Sequence, residues 1–118
     1  MRNPPRDDLE FVQDILDRIQ RIETFIETGE DEFLESLLIQ DAVMRNFEVI
    51  GEATKRLSPD FRDQYPAIAW KQMAGFRDVI IHDYMGLEME QIWATIETAL
   101  PILKKQLLEI LKELENET

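Results

Sequence analysis

The stretch that decides the fold is residues 39–57, IQDAVMRNFEVIGEATKRL. Its positions at steps of three and four residues form one row: Ile39, Val43, Asn46, Ile50, Ala53 and Leu57. All but one of them are apolar, which is typical of the buried face of an α-helix. We predict a helix that begins after Asp31 and ends near Leu57, because Ser58-Pro59 disfavours helical angles. Gly51 costs this helix about 1 kcal/mol relative to alanine, which indicates a close helix crossing.

Helical periodicity continues on both sides of this stretch. A first helix is predicted from Asp7 to Thr28, capped by Asp7 or Asp8 and ended by Gly29. Residues 58–69 are predicted as a connector that contains one helical turn. A third helix is predicted over about 69–82 and a fourth over about 88–115, with Pro101 expected to kink or break the fourth.

No segment alternates with the period of two that strands require, so the predicted fold class is all-α. We expect an up-and-down bundle of four main helices with room for a short fifth. The fourth helix also carries apolar residues off its main row: Ile92, Ala99, Ile102, Leu108 and Leu111. Such a broad apolar face predicts a two-fold homodimer that buries it.

The 118 residues suit a single domain over residues 1–118, with 1–6 expected to be a flexible arm. No cysteine is present, which excludes disulfides and thiolate metal sites, and one histidine excludes His-rich clusters. No apolar run approaches the roughly 18–20 residues of a membrane span, and the start lacks a signal-peptide pattern. We therefore expect a cytoplasmic protein without a membrane partner.

Charge is distributed unevenly along the chain. The protein carries 25 acidic and 13 basic residues, for a net charge of −12, which repels nucleic acid as a whole. Residues 42–82, however, hold six basic and five acidic side chains. An anionic ligand is therefore expected to approach this middle third.

The single histidine is the leading candidate for chemistry. A histidine side chain can accept and donate a proton in one reaction cycle, which makes His82 a candidate acid–base group. Asp78 lies one helical turn earlier and can orient the ring, whereas Arg77 lies about 140° around the helix. Arg77, His82 and the Tyr84 hydroxyl together suit phosphodiester chemistry. The alternative is that His82 is only a cap or a core contact.

A second polar cluster lies on the predicted second helix. Asp41, Arg45, Glu48 and Glu52 share one face, with Asn46 in the neighbouring apolar row. They are either polar residues of an interface or cleft, or a solvated, salt-bridged face. A di-metal site needs Glu-x-x-His pairs on other helices, which this sequence lacks, so we predict no metal and no cofactor. Trp70, Tyr65, Phe76 and Trp93 fit core packing better than base stacking.

Arg77-x4-His82-x-Tyr84 resembles the R-x4–6-H-x-Y motif of HEPN proteins. Further segments are similar to the HepT-like branch in order and spacing: residues 39–53 (IQDAVMRNFEVIGEA), 65–70 (YPAIAW), Gly75-Phe76-Arg77 and Ile92-Trp93. The resemblance covers about residues 8–105. It implies an all-α homodimer in which the Arg-His motifs of both subunits meet at a shared cleft.

The resemblance also implies a function. It implies a ribonuclease toxin that needs no metal, with His82 moving a proton, Arg77 stabilising charge on the phosphate, and Asp78 as a polar support. The implied partner is a nucleotidyltransferase antitoxin of the MNT type, which in some relatives attaches AMP to the tyrosine that matches Tyr84. Three hypotheses thus stay open: a ribonuclease, a non-catalytic dimer modified on Tyr84, and a helical dimer without chemistry.

Overall fold

Every regular element of the described chain is helical. The computed structural model describes residues 6–117, so the predicted arm at 1–6 lies almost wholly outside it. The helices are α1 (Arg6–Phe25), α2 (Glu30–Glu35), α3 (Leu37–Arg56), α4 (Pro59–Gln64), α5 (Trp70–Asp83) and α6 (Met89–Glu117). A 3-10 turn, Tyr84–Gly86, joins α5 to α6. The predicted all-α class is confirmed, with four long helices and two short ones.

The central helix is α3, which packs against α1 on one side and α5 on the other, while α6 packs against α1 and α2. The predicted apolar rows supply the core, because their side chains are almost fully buried. The buried positions include Val12, Ile15, Ile19 and Ile22 on α1, Val43, Ile50 and Ala53 on α3, and Ile96, Leu100, Leu103, Leu107 and Ile110 on α6. The helical period therefore identified the core correctly.

The predicted second helix is in fact two helices with a break at Ser36. Ser36 has extended backbone angles, and its hydroxyl accepts a hydrogen bond of 3.1 Å from the Ile39 amide, which caps α3. The buried Gln40 amide donates to the carbonyls of Phe33 and Leu34, at 2.9 and 3.0 Å. These bonds satisfy backbone carbonyls that have no helical partner at the end of α2, so the break costs little free energy.

The carboxylate of Asp8 joins α1 to the corner before α4 instead of capping its own helix. Asp8 is 2% exposed and accepts from the Ser58 amide at 2.8 Å and from the Ser58 hydroxyl at 2.7 Å. The Ser58 hydroxyl also accepts from the Phe61 amide and so caps α4. The predicted capping of α1 by Asp8 is therefore wrong. Helix α1 ends at Phe25, earlier than the predicted Thr28, and Gly29 adopts φ +97° after it.

Two further predictions differ from the structure, one in the connector and one at Pro101. The single helical turn predicted in the connector is the six-residue helix α4, with Pro59 in its first turn. Helix α6 continues through Pro101, so of the two alternatives predicted there, a kink or a break, the break is excluded and the kink stays a prediction. Pro101 is exposed, where water can bond the carbonyl that proline leaves without a donor.

Gly51 lies at a close crossing of α3 and α5, and a close crossing is what its place inside a helix predicted. A Cβ built on Gly51 would lie 2.2 Å from the Cβ of Arg77 and 3.1 Å from the Met73 carbonyl oxygen. Neither group can turn away, because one is backbone and the other is bonded directly to it. The absence of a side chain at Gly51 therefore sets the position of α5, and with it that of Arg77.

Replacing Gly51 by alanine is expected to destabilise the protein by about 1–2 kcal/mol. Overpacking at the crossing costs about 1–3 kcal/mol, and the better helix propensity of alanine returns less than about 1 kcal/mol. The measurement is urea unfolding followed by circular dichroism. Gly75→Ala is the matched control, since Gly75 lies in α5 with open space at its Cβ. This control is expected to unfold at equal or higher urea, and equal midpoints for both variants would contradict the close crossing.

Candidate functional site

Helix α5 carries the residues of the Arg-His motif on its exposed side. Arg77 and Asp78 lie in the middle of α5, His82 lies in its last turn, and Tyr84 opens the 3-10 turn that follows. His82 is exposed and Arg77 is partly buried. Because α5 is continuous, five residues separate Arg77 from His82 by about 140° and about 7.5 Å along the axis. One protomer thus directs these two side chains away from each other.

Arg77 lies in a network of charged side chains between α5 and α3. Its Nε is 3.4 Å from a Glu52 carboxylate oxygen, and its Nη1 is 3.2 Å from Asp78 Oδ1. Lys55 Nζ is 2.5 Å from the same Asp78 oxygen. With Arg56, whose Nε is 3.5 Å from a Glu52 carboxylate oxygen, the network holds three cations and two carboxylates at the surface.

The charge state of Asp78 follows from this network. The hydrogen bond from Lys55 and then the one from Arg77 hold the pKa of Asp78 below its usual value, against a smaller opposing effect of desolvation. Asp78 is therefore ionised at neutral pH. Both of these contacts are to cations, so the predicted orientation of the His82 ring by Asp78 stays a prediction.

The exposed face of α3 supplies the other half of the site. Its polar row has steps of four and three residues and contains Asp41, Arg45, Glu48, Glu52 and Lys55. Arg45 pairs with Glu48 at 3.4 Å, and Glu52 pairs with Arg56 at 3.5 Å as well as with Arg77. Glu52 thus connects Arg56 on its own helix with Arg77 on α5.

Asp41 binds the motif tyrosine. The Tyr84 hydroxyl donates a short hydrogen bond to Asp41 Oδ1, between residues 43 positions apart in the sequence. This bond connects the 3-10 turn after α5 to the first half of α3. Partial burial of Tyr84, the hydrogen bond to Asp41, and the charges of Asp41 and Glu48 together raise the pKa of Tyr84 to about 12.

Tyr84 is expected to stay protonated well above the ordinary tyrosine pKa of about 10. Between pH about 10 and about 12, a folded Tyr84 is neutral and an unfolded one ionises, so stability must fall as pH rises. Tyr84→Phe removes this contribution to the slope. The measurement is a titration of 13C-labelled tyrosine by NMR, with Tyr84 assigned from the Phe variant. Titration of Tyr84 near pH 10 would contradict the Asp41 contact.

Asn46, predicted as a polar residue of an interface or cleft, lies in the core. It is 4% exposed, its amide donates to the Ala42 carbonyl at 2.8 Å, and its oxygen accepts from Arg18 at 3.3 Å. The amide therefore links α3 to α1 and does not join the exposed polar row. A buried amide whose hydrogen bonds are satisfied within the core gives the same sequence pattern, one polar residue in an apolar row.

The aromatic residues pack as the sequence predicted. Trp70 and Trp93 are buried, and Tyr65 and Phe76 pack against the core. Phe76 meets Phe47 edge-on with ring centroids 5.1 Å apart, and Trp93 meets Phe33 at 5.5 Å. None of these four rings is presented as an open stacking platform.

An apolar concave surface lies apart from the polar site. It is a groove of about 440 Å³ between α5 and α6, with Phe47, Met73, Phe76, Leu100 and Ile102 among its walls. Neither Arg77, His82 nor Tyr84 lines it. Its chemistry is that of a packing surface, because it offers few polar groups to a substrate.

One residue that the site prediction omitted is Lys55, which continues the polar row of α3 three residues after Glu52. The helical period could therefore have included Lys55, but not its partner Asp78 on α5. Among residues 6–117 we find no group of three or more carboxylate or imidazole side chains placed to hold a metal ion.

The arrangement suits acid–base chemistry beside an anion. An exposed imidazole can move a proton near neutral pH, and a surface guanidinium can bind phosphate oxygens in pairs. In the described part of the chain, no helix has the length and apolarity needed to cross a lipid bilayer.

Comparison with known proteins gives one consistent family. A family model described as "Ribonuclease HepT-like" matches residues 15–110. The chain is 42% identical to "Putative RNase MJ0127" of Methanocaldococcus jannaschii, over 97% of this chain and 95% of the relative. It is 40% identical to "Putative RNase MJ1216" of the same organism, over 95% and 93%. It is 38% identical to "Probable ribonuclease HepT" of Thermococcus cleftensis, over 80% and 87%. No solved structure matches the chain significantly.

Proposed function

This chain belongs to the HepT-like ribonuclease family, and on that premise we propose that it is a metal-independent endoribonuclease whose site is Arg77 and His82. The observation that carries the proposal is the exposed position of the only histidine, on the same helix as an arginine at the surface. The proposed biological role is that of a cytoplasmic toxin, paired with an MNT-type nucleotidyltransferase antitoxin.

The proposed reaction uses the RNA's own 2′-hydroxyl as the nucleophile. The 2′-oxygen attacks the adjacent phosphorus, the bond to the 5′-oxygen breaks, and a 2′,3′-cyclic phosphate forms. His82 accepts the proton of the 2′-hydroxyl and can return it to the leaving 5′-oxygen. Arg77 donates hydrogen bonds to the nonbridging oxygens, where negative charge increases in the transition state. Each of these steps is performed by the protein's own side chains.

A second copy of the chain is proposed to complete the site. Within one protomer, Arg77 and His82 point about 140° apart along α5, so a second subunit that presents its own motif solves the geometry. Apolar side chains beside the motif are exposed and unpaired with the core: Val79, Ile81 and Met85, and Leu37 and Leu38 at the start of α3. Burying such side chains is a common reason for two-fold association.

The charge network explains how an acidic protein can bind RNA at this place. Glu52 and Asp78 neutralise Arg77 and Lys55 in the free protein. These are exposed or partly exposed ion pairs, which contribute little free energy and can be exchanged for a phosphate. RNA binding is therefore proposed to replace the contacts of Arg77 with Glu52 and Asp78.

A second candidate function is a dimer that binds the nucleotidyltransferase and is modified by AMP on Tyr84. It is favoured by the position of the Tyr84 hydroxyl, which lies at the surface two residues after His82. An added phosphate there carries negative charge and competes with RNA for the cations of the site. In this proposal the modification switches the ribonuclease off. If the modified dimer is the only function, Arg77 and His82 serve only to recognise the partner.

A purely structural dimer is the weakest of the three hypotheses. That hypothesis requires Arg77 and His82 to be buried and paired within one subunit. Arg77 is partly buried and pairs with Glu52 and Asp78 of its own subunit, whereas His82 is exposed. The observed arrangement therefore favours a site that binds or reacts.

The test is RNA cleavage by the purified protein in EDTA, with the product ends identified by mass. We expect cleavage that yields 2′,3′-cyclic phosphate ends. Its rate in EDTA should equal the rate without EDTA. The protein must first be shown by intact mass to be unmodified on Tyr84. No cleavage by the unmodified protein would overturn the ribonuclease proposal and leave the modified dimer as the function.

A further inference from the structure

We propose that Asp41 is the proton acceptor for nucleotidyl transfer to Tyr84, so that this chain supplies the base for its own modification. The inference rests on the second function proposed above, in which Tyr84 receives AMP. It adds a residue on α3 that lies outside the Arg-His motif. The observation behind it is the hydrogen bond that the Tyr84 hydroxyl donates to the Asp41 carboxylate.

The chemistry of the transfer requires such an acceptor. The Tyr84 oxygen forms a bond to the α-phosphorus of a nucleoside triphosphate, the bond from that phosphorus to the bridging oxygen breaks, and pyrophosphate leaves with the electron pair. The hydroxyl proton must pass to a base during this exchange. In phosphoryl transfer an aspartate that accepts the proton of the attacking hydroxyl is a recurrent arrangement. Asp41 already accepts the hydrogen bond of this hydroxyl.

Asp41 is better placed for this role than the other acid near Tyr84. The charged groups that act on the Tyr84 hydroxyl are Asp41 and Glu48, both from α3. Glu48 acts only through its charge and is bonded to Arg45 at 3.4 Å. Asp41 makes the direct hydrogen bond and is exposed, so an incoming nucleotide can reach the pair.

The state of the hydroxyl supports the same assignment. With its pKa raised to about 12, Tyr84 is almost wholly protonated at neutral pH. A mechanism that waits for the free phenolate would therefore be slow. Transfer of the proton to Asp41 as the new bond forms avoids that state and fixes the direction of the attacking lone pair.

The two possible roles of the Asp41 carboxylate predict opposite results. If Asp41 accepts the proton, its removal slows the modification. If Asp41 only suppresses ionisation of Tyr84, its removal lowers the tyrosine pKa and speeds attack by the phenolate. The sign of the effect of Asp41→Asn therefore decides between them.

The experiment follows the incorporation of label from α-32P-ATP with Mg²⁺ into the full-length chain. The enzyme is the MNT-type nucleotidyltransferase proposed above as the partner. The variants are Asp41→Asn, Asp41→Glu and Tyr84→Phe. The matched control is Asp17→Asn, which removes an exposed carboxylate from α1 without touching Tyr84. Thermal unfolding of each variant checks that the fold is kept.

We expect Asp41→Asn to slow labelling at least about 100-fold, Asp41→Glu to recover much of the rate, and Asp17→Asn to match the wild type. Labelling of Asp41→Asn should also rise with pH over the range where tyrosine ionises, a dependence that a lost structural contact does not produce. Unchanged or faster labelling of Asp41→Asn would overturn the role of Asp41 alone. An unlabelled wild type, or label that persists in Tyr84→Phe, would overturn the modification of Tyr84 itself.

Discussion

Replacing His82 by alanine is expected to lower the rate of RNA cleavage by about 100-fold to 10,000-fold, the range that a positioned general acid or base contributes. His82 is exposed in the last turn of α5, so its loss leaves no cavity and should change stability little. The measurement is a single-turnover rate on a labelled RNA in EDTA. Equal rates for the variant and the wild type would mean that a contaminating ribonuclease, or another residue, performs the cleavage.

The pH dependence of RNA cleavage is a second test of the role of His82. A histidine that titrates near neutral pH makes the rate change with pH on at least one side of its pKa. Residual cleavage by His82→Ala should lack this dependence. A profile that is the same in both proteins would remove His82 from the mechanism.

Replacing Arg77 by glutamine is expected to lower the rate by about 100-fold to 1,000-fold, as for other groups that stabilise charge in a transition state. Lysine at position 77 is expected to recover only part of the rate, because an ammonium cannot donate two parallel hydrogen bonds to a phosphate. Both variants should fold, since the ion pairs of Arg77 with Glu52 and Asp78 are partly exposed and contribute little.

The control for Arg77 is an arginine in a comparable ion pair away from the site. Arg21 pairs with Asp17 at 3.0 Å on the exposed side of α1. Arg21→Gln changes the net charge by the same amount and should leave cleavage close to the wild-type rate. If Arg21→Gln and Arg77→Gln reduce the rate equally, Arg77 acts only through the overall charge of the protein.

The parts of the fold that could be predicted from the sequence are those that follow from the spacing of apolar residues along a helix. The rows at three and four residues located the core faces of α1, α3 and α6, and Gly51 located the close crossing with α5. The break at Ser36 was missed because the apolar period continues across it, while the decisive bonds come from the Ser36 hydroxyl and from Gln40, which reaches back to Phe33. Such bonds depend on geometry that periodicity does not contain.

The sequence named candidate site residues but not their contacts. The motif pointed to Arg77, His82 and Tyr84, which lie on α5 and the turn after it. The partners of Arg77 and Tyr84 on α3 are 25 or more positions away, and no local spacing predicts that Glu52 binds Arg77 or that Asp41 binds Tyr84. Asp78 also contacts Lys55 on α3, which its place one turn before His82 did not indicate.

RNA cleavage by a mixed dimer tests whether Arg77 of one subunit and His82 of the other form one site. One subunit carries Arg77→Gln and the other His82→Ala, and two different affinity tags select the dimers that contain both. Each parent dimer is expected to be nearly inactive in EDTA. The mixed dimer, which retains an Arg77 on one subunit and a His82 on the other, should recover up to roughly half of the wild-type rate. A mixed dimer as inactive as its parents, beside an active wild type, would contradict a site shared between two subunits.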